Sequence, residues 1–117
     1  MITCRKIENT VNSHDIAYWI INDSQHIDFT LFVEVHYVDI FFGGYVYDIT
    51  AYCLESNVKM QYKRVKSCNS LLKDEKQICD YFENDARLCE TMSDSGFKRS
   101  KIKKKELEAI KKNFQLS

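Results

Sequence analysis

The sequence predicts an α+β fold, an antiparallel β-meander of about four strands followed by two C-terminal helices at about 70–92 and 101–115. Three observations predict it. Residues 27–54 alternate between apolar and polar with period two on either side of a Gly43-Gly44 pair, which reads as one long hairpin. From Asn69 onward the apolar residues recur at three- and four-residue intervals, the spacing of a helix. Strands precede helices along the chain, which favours two layers packed in a single α+β domain, residues 1–117.

Composition narrows the class. With 117 residues, 44% of them hydrophobic, and seven tyrosines, seven phenylalanines and one tryptophan, the chain has the material for a packed core. No apolar run approaches the roughly 18–20 residues that cross a bilayer, so no membrane partner is expected. The first fifteen residues lack the apolar segment of a secretory signal, so a cytoplasmic location is expected. Five cysteines, an odd number with no C-x-x-C pair, read as free buried thiols; no metal site and no cofactor are expected. Proline is absent, and nothing in the sequence accounts for that.

The elements follow in order. A short strand is expected near Ile2. IAYWII at 16–21 is apolar on both faces, as in a strand covered on both sides. In the hairpin, Ile27, Phe29, Leu31, Val33, Val35 and Tyr37 share one face, after which Val38, Ile40 and Phe42 become the apolar set. A one-residue shift of phase needs a bulge near Tyr37-Val38 if all are to face one core. A Gly43-Gly44 turn then opposes Asp39 to Asp48. Val58–Val65 alternates with lysines and is expected at a sheet edge, where lysine discourages further pairing. Asn69 or Ser70 can cap the first helix, with Asp74 and Glu75 at its positive end. The second helix has only a thin stripe, Ile102, Leu107, Ile110 and Phe114.

Charge is sorted along the chain although it sums to zero. Residues 1–55 carry two basic side chains against eight acidic, and residues 98–117 carry eight basic against two. Each end therefore projects its own field. The outer face of the hairpin collects Asp28, Phe32, Glu34, His36, Asp39, Phe41, Asp48 and Tyr52. Opposed carboxylates are destabilising unless kept for a cationic partner, and aromatics among them suit a protein contact. The alternative interface is Lys101, Lys103, Lys104 and Lys105, a cluster that attracts phosphate backbones.

No phosphate-binding glycine loop and no hydrolase or metalloprotease motif is present, and the candidate acid–base pair Glu34–His36 lacks a third group, so no enzyme activity and no catalytic residue are expected. In general character the chain resembles small bacterial immunity proteins and antitoxins that plug basic nuclease toxins. That resemblance implies a non-enzymatic inhibitor whose partner is a basic toxin domain held by the acidic, aromatic face. A nucleic-acid-binding accessory role through the lysine-rich tail is the competing expectation. A long hairpin edge could also pair with a second copy to give a homodimer.

Overall fold

The computed structural model describes residues 2–7, 15–23, 30–92 and 96–116. Among these, six strands form one antiparallel sheet in chain order: β1 (Ile2–Ile7), β2 (Ile16–Asp23), β3 (Thr30–Phe41), β4 (Gly44–Cys53), β5 (Val58–Ser67) and β6 (Phe97–Lys101). The α+β class stands, with six strands where about four are expected. β1 is the short strand expected near Ile2, and β6 is the strand not expected. β5 is not an edge, because FKRSK, which lies between the two expected helices and runs into the second, pairs with it from Val58↔Lys101 to Tyr62↔Phe97. A five-residue strand that is mostly cationic is a strand only because β5 offers it a ladder, and its charges guard the new edge.

The first helical segment begins later than periodicity suggests. Its cap is Asp74, whose carboxylate accepts the Lys76 and Gln77 amides at 3.0 and 3.4 Å. From there α1 (Glu75–Asp80), a π turn (Tyr81–Asp85) and α2 (Ala86–Thr91) run end to end. The second helix, α3, spans Lys104–Asn113, since the residues up to Lys101 belong to β6.

These helical units lie on opposite faces, so the sheet sits between two helical coverings instead of in a two-layer stack. On the first face Trp19, Val33, Val35, Tyr47, Ile49 and Ala51 pack under Leu71, Ile78, Tyr81, Phe82 and Ala86. On the second, Ile7, Ile20 and Phe32 pack under Ile102, Ile110 and Phe114. Successive residues of β2 alternate between the two clusters, which is why IAYWII is apolar throughout.

Two bulges shape the hairpin. The expected one is present: Tyr37 pairs with Tyr47 and Asp39 with Val46, leaving Val38 as the extra residue. The turn differs, with Phe42-Gly43 at its centre and Phe41↔Gly44 closing it. Gly43 has φ +89°, the left-handed value a type II turn asks of its second central residue. Gly44 is needed for a different reason, because a Cβ there would collide with the Ser67 carbonyl of β5. Asp39 consequently faces Val46, and Asp48 faces His36; the opposed carboxylate pair does not exist. A second bulge sets Lys63 and Arg64 of β5 against Asp48, with Arg64 at φ +55° and its amide donating to the Asp48 carboxylate at 2.9 Å.

The cysteines depart from expectation as well. Cys4 of β1 and Cys79 of α1 form a disulfide across 75 residues, while Cys53, Cys68 and Cys89 form none. Connectivity over such a separation cannot be read from spacing; it exists because α1 packs beside β1. No helix is long and apolar enough to cross a membrane.

Candidate partner interface

The residues expected to form one acidic face are divided by α3. Phe32 is buried, its ring edge-on to Phe114 at 5.4 Å, and Tyr18 meets the same Phe114 at 5.2 Å. Glu34 and Tyr52 are half-buried beside them. Burial pushes the Glu34 carboxyl above its ordinary value, against an opposing pull from His36. The Tyr52 hydroxyl is pushed up to about 12, first by burial and then by Glu34 and Glu106. Phe32, Glu34 and Tyr52 thus belong to the protein interior and its margin, not to an open surface. Asp28 lies outside the described residues.

His36, Asp39, Phe41 and Asp48 occupy the uncovered part, but their charge is met within the chain. Arg64 approaches Asp39 at 3.6 Å and Lys63 approaches Asp48 at 3.7 Å. Lys66 lies over the Phe41 ring, 5.7 Å from its centroid. All these cations come from β5, which reaches this face through the Lys63-Arg64 bulge. The outer face is therefore polar and mixed in sign.

Among the described residues, four of the six large exposed hydrophobics lie instead at the tip of the same hairpin, the other two being Leu88 and Met92. Phe42 is fully exposed, Ile40 is 67% exposed, and Val38 and Tyr45 are open as well. Their alternation resembles that of the core residues below them, so sequence alone assigns Val38, Ile40 and Phe42 to the core. One signal does separate them: β3 runs for 12 residues and β2 for only 8, with Ile16 pairing no further than His36. The last turn of the hairpin outruns its neighbour.

The tip is held firmly despite its exposure. Tyr37, Tyr45 and Tyr47 pack ring against ring at 6.0–6.2 Å, and the Tyr47 hydroxyl accepts the Leu71 amide at 3.2 Å. Asp39 accepts the Ile40 amide at 2.8 Å beside the bulge. A rigid platform presenting one phenylalanine and one isoleucine loses little conformational freedom on contact.

The basic region is the second exposed surface. Lys101, Lys103, Lys104 and Lys105 are all exposed, as are Lys98, Lys111 and Lys112. None of these seven lysines has an ion pair among the described residues. Glu106 instead serves the fold: it accepts the Lys103 amide at 3.0 Å and pairs with Lys59 of β5 at 2.6 Å. Burial alone would raise the Glu106 carboxyl, but these hydrogen bonds and the two lysine charges hold it below its usual value.

No protein-family model, curated protein or solved structure matches the chain. Among the described residues, no group of three or more His, Cys, Asp or Glu gathers as metal ligands would.

Proposed function

We propose that this protein acts by binding another protein, with the β3–β4 hairpin tip as the anchor, and works as an inhibitor by occupying its partner's surface. The observation that carries this reading is Phe42 and Ile40 standing bare on a braced turn. Large apolar side chains held rigid at the centre of a contact supply most of the energy in protein interfaces. Asp39 and Asp48 flank the tip, and their pairings with Arg64 and Lys63 are long and solvent-exposed, worth little individually. A partner offering an apolar pocket with a cationic rim could recruit both. The immunity-protein or antitoxin role against a basic nuclease-type toxin is the specific form of this proposal.

The test compares capture by the wild-type chain with capture by an Ile40→Ser/Phe42→Ser variant that retains its circular dichroism. Loss of one basic protein from the variant's bound fraction supports the reading, and equal capture by both overturns it. A concentration-dependent dimer abolished by the same substitutions would assign the tip to a second copy of this chain.

A second reading rests on the seven lysines of β6, α3 and the segment between them, which have no ion pair among the described residues. Nucleic acid bound there would show affinity falling steeply with salt, and changing Lys101, Lys103, Lys104 and Lys105 to glutamine would flatten that slope. Capture that survives nuclease and moderate salt excludes it.

A further inference from the structure

At the end of the sheet remote from the hairpin tip, a cavity of about 390 Å³ opens between the first face and α2. Its floor is apolar: Ile21, Leu31, Cys53, Val58 and Met60, drawn from β2, β3, β4 and β5. The back wall is rigid, because Tyr62 packs against Tyr81, Phe82 and Phe97 with centroids 5.2–6.1 Å apart. At about 30 Å³ per water in the liquid, the space equals roughly a dozen waters, and it falls within the 300–1,000 Å³ usual for small-molecule sites.

The π turn accounts for both the room and the rim. Each residue advances a helix by about 100°, so the extra residue in a π turn rotates everything that follows. In α2 this sets Ala86 against the sheet, 2% exposed, and brings Arg87 and Glu90 to the cavity. Alanine at the closest approach leaves a space that a larger side chain would fill. Opposite, Arg99 of β6 pairs with Met60 and reaches the same cavity.

The charges at the rim are unequally committed. Glu90 accepts the Tyr62 hydroxyl, and Asp23 has a partner of its own. Neither Arg87 nor Arg99 has a carboxylate within 4 Å among the described residues. Guanidinium groups present paired donors matched to carboxylate and phosphate oxygens. We infer that this cavity is a binding site for a small amphipathic anion, with its apolar body on the Ile21–Leu31–Val58–Met60 floor and its head between Arg87 and Arg99. Neither the hairpin tip nor the lysine surface takes part, so the site is independent of the proposed partner contact.

The experiment titrates the full chain with decanoate, decyl phosphate and neutral decanol, by calorimetry and by amide resonance mapping. The expected result is saturable binding of at least one anion that shifts Ile21, Met60 and Ala86, with decanol at least tenfold weaker. Binding of only one anion still supports the inference and identifies the head group. An Arg87→Gln/Arg99→Gln variant should weaken the anions at least tenfold, leave decanol unchanged and keep its thermal unfolding midpoint. Ala86→Phe, which fills the cavity, should abolish binding of all three. No saturable binding of either anion overturns the inference. So does undiminished binding by the double-arginine variant, or shifts confined to residues 38–45.

Discussion

The two ends of the β3–β4 hairpin carry almost the same pattern and meet opposite fates. Near the base, Val33, Val35, Ile49 and Ala51 are covered by the α1–α2 unit, and Phe32 by α3. At the tip, Val38, Ile40, Phe42 and Tyr45 stand in water. Lengths explain the difference. Twelve residues of β3 extend for about 40 Å, whereas the helical unit from Glu75 to Thr91, which covers the face that carries Ile40 and Tyr45, spans about 25 Å. A helix that short cannot cover a strand that long in any orientation, so some of the apolar pattern had to remain bare. What distinguishes an interface from a core here is the reach of the covering layer.

The largest expected effect contrasts two phenylalanines. Phe32→Ala should destabilise by about 3–5 kcal/mol, because it empties the contact with Phe114. Phe42→Ala should change stability by no more than about 0.5 kcal/mol, yet weaken partner binding by about 2 kcal/mol or more. Denaturant unfolding and a binding titration measure the two quantities. A large stability loss at Phe42 would mean that the tip is core after all. Next in size is the tie between the first-face helices and the sheet edge. Cys79→Ser, or reduction of the wild type, should cost about 2–4 kcal/mol in the same unfolding assay. An unchanged midpoint in dithiothreitol would remove the disulfide from the account.

Asp48 tests what holds the tip in shape. Asp48→Ala removes the acceptor for the Arg64 amide and should cost about 1–2 kcal/mol. Arg64→Gly, which relieves the positive φ, should be neutral or stabilising by up to about 1 kcal/mol. Both are read from chemical unfolding midpoints, and a costly Arg64→Gly would mean that the Arg64 side chain matters more than its backbone.

The smallest effect is Glu34→Gln. Glu34 has its carboxyl raised by burial, so the wild type is favoured in acid and loses that advantage as pH rises through the folded value. The glutamine variant should therefore gain slightly over wild type as pH moves from 4 to 7. A gain that shrinks toward neutrality would contradict the assigned burial.

Much of the fold was legible. The bulge at Val38 followed from a phase change that only an extra residue repairs, and IAYWII announced a strand covered on both sides. β6 was not legible, because FKRSK holds one apolar residue inside the ladder and has no strand pattern of its own. The acidic face was legible as a list of side chains but not as a surface. Which cations meet Asp39 and Asp48 depends on the β5 bulge at Lys63-Arg64, and nothing local marks it without a glycine at the positive-φ position. The cavity was invisible for a similar reason: Ala86, Arg87 and Arg99 converge only after a π turn resets the helix.

By itself the sequence determined the α+β class and the order and alternation of the strands as far as β5, since period and turn chemistry are local properties. The tertiary structure decided which face each helix covers, that Cys4 meets Cys79, and that Phe32 is buried while Phe42 is bare. Those outcomes depend on contacts between residues tens of positions apart, and on the finite length of the helices available to make them.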